Sequence, residues 1–307
     1  MSRAVRALRS GLSLLLLAVI AAAGLWIPPS RSDAKGLLRV TFIDVGQGDA
    51  AWLSTADGWD ILIDGGPQDA GAELVSFLDD QGVVDIDVLI LSHPHADHVG
   101  GLVAVAENLD VDLALTNCQA YPTTIYQTFL DLLDSKTIPS ICVREGDTFT
   151  WGSYVAAAAV NPPDPLMSGT GSDVNNNSIV LRISYGSVDF LFTGDIESDA
   201  EAATLLRGST LEAEILKVAH HGSDSSSTEA FLTQVDAKEA VISVGASNPY
   251  GHPASQTLQR VRSAGATVYR TDLHGTIVVT TDGTAYWVQP ERSVYIFLPL
   301  SLHGFWP

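Results

Sequence analysis

In the string Ser92-His93-Pro94-His95-Ala96-Asp97-His98-Val99-Gly100-Gly101, three histidines and an aspartate fall within six residues, directly after an apolar strand at 87–92. A core cannot absorb so many imidazoles and carboxylates at a strand end unless each finds a partner, because an unpaired buried polar group costs about 1–3 kcal/mol. A divalent cation supplies those partners, and imidazole with carboxylate is a donor set that suits it. The alternation of His93 and His95 points both the same way along an extended segment. Asp97 and His98 fall on the turn that follows, toward a second position. The spacing therefore suits two metals side by side. A solvated His-rich loop is the bland alternative, and the strand before it and the glycine pair after it argue against that.

Three further stretches share this layout of an apolar strand ending in reactive residues. Phe190-Leu191-Phe192-Thr193-Gly194-Asp195 delivers one carboxylate, where it can bridge two cations. Ile215-Leu216-Lys217-Val218-Ala219-His220-His221-Gly222-Ser223 ends in paired histidines. Neighbours on an extended chain face opposite sides, so one of the pair can ligate while the other faces substrate. The polar loop Ser247-Asn248-Pro249-Tyr250-Gly251-His252-Pro253 offers Tyr250 and His252 to a substrate, or is simply an ordered turn.

Short β-rich runs at 38–44, 50–54 and 59–64 read as an antiparallel meander, followed by helix 73–81 and the strand at 87–92. Strand 112–116, helix 124–135 and strand 141–143 come next. A second antiparallel group, 154–160, 178–184 and 188–192, precedes helix 197–206, strand 213–219, helix 228–234, strand 240–244, helix 255–264 and strands 267–270 and 276–281. A meander followed by βα units thus occurs twice. That predicts an α/β chain with two sheets back to back and helices outside. The Pro-, Gly-, Ser- and Asn-rich stretch 161–177 is long enough to be a functional loop. Cys118 and Cys142 are the two cysteines and flank helix 124–135, so they pair across neighbouring strands or remain buried thiols.

Arg3, Arg6 and Arg9 precede an apolar run at 11–27, which Pro28-Pro29 ends; this is the pattern of an export signal. The run is also just long enough to stay as a membrane tether. The expectation is an exported protein, extracellular or periplasmic, or anchored to the outer face of the cytoplasmic membrane. The expected division is 1–34 as signal or anchor, 36–290 as one domain and 291–307 as a tail. The formal net charge is −20, from 36 acidic and 16 basic residues. That excludes a generic basic nucleic-acid surface. A polyanion needs a local positive groove, for which Arg144, Arg182, Arg207, Lys217 and the group Arg260, Arg262 and Arg270 are the available cations.

In order along the chain, the strings FIDVGQGDA, LIDGG, SHPHADHVGG, NNNSIVL, FTGD, ILKVAHHGS and SNPYGHP resemble the metallo-β-lactamase superfamily, whose His-x-His-x-Asp-His signature is HPHADH here. Over residues 38–282 they are most similar to the branch holding the soluble domain of the DNA-uptake competence protein ComEC, and to phosphorylcholine esterases. The resemblance implies an αββα four-layer sandwich, a two-metal site at the sheet edges and hydrolysis of a phosphodiester. Carried over, His93 and His95 hold one divalent ion, Asp97, His98 and His221 hold the other, and Asp195 bridges them. Asp97 and His220 are the catalytic pair, with His220 facing the phosphate. Asn177, Ser223, Tyr250 and His252 contact substrate, and Asp44 and Asp64 support from behind or shape turns. Many superfamily hydrolases place another histidine between the cluster and the bridging aspartate. Asn176 or Asn177 stands there instead, which leaves both Zn²⁺ and Mn²⁺ as candidates. The competence protein embeds this domain among many membrane spans, whereas one apolar run, 11–27, is found here.

The functional expectation is a metal-dependent phosphodiesterase or nuclease acting on DNA, single strands included, with no protein partner inferred. One alternative is a small-molecule or envelope esterase, phosphorylcholine esterase-like or lactonase-like. Trp52, Trp59, Tyr121 or Trp151 would supply its aromatic cage. The other is a binding domain with a vestigial site.

Overall fold

Strands covered on both faces carry apolar residues at nearly every position, and the sheets of this chain do so because helices back both of them. The computed structural model describes residues 36–293. The expected signal or anchor at 1–34, and most of the expected tail at 291–307, lie outside the described residues.

The strands are β1 (Leu38–Phe42), β2 (Ala51–Thr55), β3 (Asp60–Ile63), β4 (Asp85–Ile86), β5 (Val88–Ile90), β6 (Asp110–Val111), β7 (Ala114–Thr116), β8 (Ser140–Cys142), β9 (Thr148–Trp151) and β10 (Val155–Asn161), then β11 (Val180–Tyr185), β12 (Val188–Phe192), β13 (Ile215–Lys217), β14 (Glu239–Ile242), β15 (Thr267–Arg270), β16 (Ile277–Thr281) and β17 (Tyr286–Pro290). One sheet runs β17-β16-β1-β2-β3-β5-β7-β8 and the other β15-β14-β13-β12-β11-β10-β9, while β4 and β6 form a small ribbon. In each sheet an antiparallel meander passes into a parallel half, at β3–β5 in the first and at β12–β13 in the second.

Side-chain alternation sorts the core into layers. Val88, Ile90, Phe190, Phe192 and Ile215 point into a central core between the sheets, where the Phe42 and Phe192 rings stack 5.6 Å apart. Leu89 and Leu91 point the other way, onto helices α1 (Gly71–Asp80), α2 (Ala96–Asn108) and α3 (Thr124–Ser135). Leu191 and Leu216 meet α4 (Ser198–Arg207), α5 (Glu229–Val235) and α6 (Ser255–Ser263). The result is the expected αββα sandwich. Parallel strands end on the same side, so β3, β5, β12 and β13 deliver Asp64, His93, Asp195 and His220 to one edge.

Helix α2 is the largest departure from the periodicity reading, which placed Asp97 and His98 on a turn. Gly100-Gly101 reads locally as a helix breaker. The pair is there for close approach: a Cβ on Gly101 would lie 2.0 Å from Gly65 O, and one on Gly100 2.3 Å from Gln68 N. The helix can press its first turns onto the 65–68 backbone only without those carbons. Strands β9 and β17 are further departures; each is a half-exposed sheet edge. Cys118, just past β7, is disulfide-bonded to Cys142 at the end of β8. Among the described residues, no helix is long and apolar enough to cross a membrane.

Candidate metal centre

Four imidazole Nε2 atoms converge on one carboxylate oxygen. Asp195 Oδ2 lies 3.3 Å from His98, 3.5 Å from His221 and 3.8 Å from both His93 and His220. His221 Nε2 is also 3.3 Å from Asp97 Oδ2. Local backbone places each group. Gly194, at φ +50°, turns the chain so that Asp195 faces inward, and a Cβ there would sit 2.8 Å from Ser178 Cβ. Ser178 Oγ accepts the Asp195 amide at 3.1 Å and holds the turn.

His220 and His221 lie not on an extended run but in a left-handed turn, at φ +50° and +52°. This corrects the opposite-faces expectation, since the turn aims both Nε2 atoms toward Asp195. Such conformations cost about 1–2 kcal/mol each in L-residues, and the packing around the site sustains them. His95 lies beside His93, with Nδ1 3.0 Å from His93 Nε2. It is part-exposed, whereas His93, His98 and His221 are buried.

The opposite ring nitrogens are held from behind, as ligand imidazoles require. Asp64 Oδ2 is 2.9 Å from His98 Nδ1, and that carboxylate also accepts the Ser92 amide and hydroxyl. His221 Nδ1 sits 3.0 Å from the Ser243 carbonyl and 3.1 Å from Asp49 Oδ1. Glu197 Oε1 is at ion-pair distance from His220 Nδ1, 3.4 Å, and accepts a hydrogen bond from Asn175. Sequence reasoning missed Asp49 and Glu197. Asp49 stands in the FIDVGQGDA string, directly after Gly48, and Glu197 lies two residues beyond Asp195, yet only folding brings them under the histidines. Asp44 stays in its own turn, where it accepts the Gly46 amide.

Electrostatics follow from this crowding. Burial pushes the Asp195 carboxyl up, but His98 and His221 outweigh it and hold it well below the usual range. Burial lowers His98 and His221, and Asp195, with Asp64 and Asp49 respectively, reverses this and lifts both well above an ordinary imidazole. His93, buried beside His98, is held well below. The Asp49 carboxyl is lowered despite burial, chiefly by Lys217 and then His221.

The donor set fits divalent metal. Ligand atoms of His93, His98 and Asp195, and of Asp97, His98 and His221, cluster within 4.8 Å. His98 Nε2, His221 Nε2 and Asp195 Oδ1 are buried without a hydrogen-bond partner among the described residues. Orphans of that kind are expensive, and cations placed among them relieve all three.

The metallo-β-lactamase superfamily model matches residues 43–116, which carry the His-rich string. The chain is 29% identical over 257 residues to ComE operon protein 3 of Bacillus subtilis (strain 168), covering 78% of this chain and 32% of that protein. It is 29% identical over 268 residues to competence protein ComA of Neisseria gonorrhoeae, covering 87% and 36%. It therefore spans about a third of the length of these curated relatives. In fold it is similar to Igni18, a metallo hydrolase from the archaeon Ignicoccus hospitalis, with TM-score 0.53, 16% identity and coverage of 79% and 98%. It also matches CmlA, a diiron β-hydroxylase from Streptomyces venezuelae, with TM-score 0.51, 14% identity and coverage of 78% and 53%. The chain has the metallo-β-lactamase fold.

Around the rim of this site several expectations change. Asn177 is fully buried and its amide is spent on Met167 and Asp173, closing the 161–177 loop. Asn176 is likewise spent, accepting the Glu197 and Ala200 amides. Ser223 is buried and its hydroxyl pairs with Ser225. The polar groups of Asn177 and Ser223 are thus paired within the protein. Tyr250 and His252 do face the opening, stacked 5.8 Å apart, with His252 5.5 Å from His220.

The positive groove does not form, because six of its seven expected cations are engaged elsewhere and the seventh lies apart. Lys217 is buried on Asp49 at 2.7 Å, Arg182 pairs with Asp189, Arg207 with Glu145 and Arg270 with Asp272. Arg144 and Arg260 donate to backbone carbonyls. Arg262 is exposed in the last turn of α6, at the far end of that helix from the His252 loop. Of the expected cage aromatics, Trp52 and Trp151 are buried in the cores and Trp59 packs against one. Tyr121 alone of the four contacts the site, with its ring 5.3 Å from His95.

Proposed function

We propose that this chain is an exported metal-dependent phosphodiesterase that cleaves DNA, single strands included. The observation that carries the reading is the set of four imidazoles around Asp195 Oδ2 with Asp97 alongside, set at a strand-end edge open to solvent on the His95 and His220 sides. His93 and His95 would hold one divalent ion, Zn²⁺ or Mn²⁺, and Asp97, His98 and His221 the other, with Asp195 between them. Such a pair supplies Lewis-acid polarisation of a phosphoryl oxygen and an acidified water.

The chain's own residues do the rest. Asp64, Asp49 and the Ser243 carbonyl keep the ligand rings oriented. Glu197 lies at ion-pair distance on the Nδ1 side of His220, and Nε2, which faces Asp195, would be the atom that meets the leaving oxygen and passes it a proton. The relatives named as competence proteins support a nucleic-acid substrate, and the disulfide supports an oxidising compartment. The spent cations favour the second reading, a small-molecule or envelope esterase.

One assay separates the two. The full chain is stripped of metal, reloaded with Zn²⁺ or Mn²⁺, and given bis(p-nitrophenyl) phosphate and linear single-stranded DNA. Both should be hydrolysed, and Asp195→Asn should cut kcat/KM by about a thousandfold, roughly 4 kcal/mol. Turnover of the small diester without DNA would transfer the assignment to the esterase. Metal binding with no turnover of either would refute a phosphodiesterase.

A further inference from the structure

Resting on the phosphodiesterase reading, we infer that the substrate strand is gripped by its bases, stacked on Tyr121 and Tyr250, and not by its phosphates. These two tyrosines stand at the ends of a row of side chains, rings on either side of Asp195, that passes through the metal centre. From one end, Tyr121 lies 5.3 Å from His95, which is 4.7 Å from His93, whose Nε2 is 3.8 Å from Asp195. From Asp195 the row continues to His220 at 3.8 Å, then to His252 at 5.5 Å and Tyr250 at 5.8 Å. Tyr250 is 66% exposed, so much of its ring is open to solvent. Bases stacked at the two ends would lay the sugar-phosphate stretch between them, several nucleotides long, across Asp195.

Charge decides against the usual grip. Strands held by their backbone need free lysines and arginines along a groove. Lys217, Arg144, Arg182, Arg207, Arg260 and Arg270 are each committed to a carboxylate or a carbonyl. Glu197 and Asp97 add negative charge at the opening. Stacking is indifferent to that field, because every base presents an uncharged face.

The test is fluorescence anisotropy of a labelled twelve-residue thymidine oligonucleotide on the metal-free full chain, where nothing is cleaved, titrated from 20 mM to 1 M NaCl. An abasic strand of the same length is the control. Binding should fall with salt at a log–log slope no steeper than about −1, against about −3.5 for five neutralised phosphates. The abasic strand should not bind. Tyr121→Ala and Tyr250→Ala should each weaken binding by about 5- to 100-fold, while Tyr250→Phe stays within about twofold.

A steep slope, equal binding of the abasic strand, unchanged binding by both alanine variants, or no binding at all would overturn the inference. Any of those results leaves the phosphodiesterase assignment standing if bis(p-nitrophenyl) phosphate is still hydrolysed. Failure of that hydrolysis, with stacking intact, would sink the parent reading instead.

Discussion

Lys217→Met deletes one buried ammonium and keeps the length of the side chain. Lys217 Nζ lies 2.7 Å from Asp49 Oδ2, with the two side chains 4% and 7% exposed. It also donates to the Val218 carbonyl at 3.0 Å. Removing one partner of a buried ion pair typically costs about 3–5 kcal/mol, because the remaining charge is stranded. The lower end applies here, since Asp49 keeps His221 at 3.1 Å and methionine fills the lysine stem. A loss of about 3 kcal/mol corresponds to a fall of roughly 6–12 °C in Tm for a domain of this size. The double variant Lys217→Met/Asp49→Asn neutralises both charges and should recover at least half of that loss. Urea denaturation of the metal-free full chain, followed by circular dichroism, measures both. A single variant within 1 kcal/mol of the parent, or a double variant no more stable than the single, would show that the pair carries no energy.

Gly101→Ala should destabilise by about 3 kcal/mol or prevent folding, because the added carbon would sit 2.0 Å from Gly65 O, a backbone atom that cannot rotate away; soluble yield and Tm report it. Asp87 is raised to about 6, first by burial and then by the nearby carboxylates Asp60, Asp85 and Asp112. Its folded pKa lies above the unfolded one, so the penalty is absent near pH 4, grows through pH 6 and is complete by pH 8. Asp87→Asn keeps an acceptor for the Asp60 amide and should therefore stabilise by about 1–2 kcal/mol at pH 8, after allowance for solvent screening, and not at pH 4; denaturation at the two pH values checks it. Replacing Cys118 and Cys142 together by Ser opens a loop of sequence separation 24 and should cost about 3 kcal/mol, with dithiothreitol producing the same fall in the parent chain only.

Much of the site was legible along the chain because its ligands come in short strings at strand ends. Apolar runs such as 87–92 and 188–192 declare buried strands by themselves, and a carboxylate or imidazole immediately after one lands at the sheet edge. His93, His95, His98, Asp195 and the His220-His221 pair were readable for that reason, as were the boundaries of α3, which match its 12 helical residues. Helix α2 was hidden because Gly100-Gly101 looks like a break until the 65–68 backbone is seen beneath it.

Local pattern determined which residue types reach the edge and that two sheets carry them. It could not determine which groups stand behind the ligands, since Asp49 and Lys217 are 168 residues apart and meet only when the two sheets close. Nor could it say that the arginines nominated for a groove would be consumed by neighbours such as Asp189 and Glu145. Side-chain identity and strand alternation are properties of a few consecutive residues, so the sequence states them directly. The pairing of charges, the left-handed turn at His220-His221 and the burial of Asn177 depend on what lies across a packed interface, and only the tertiary structure decides that.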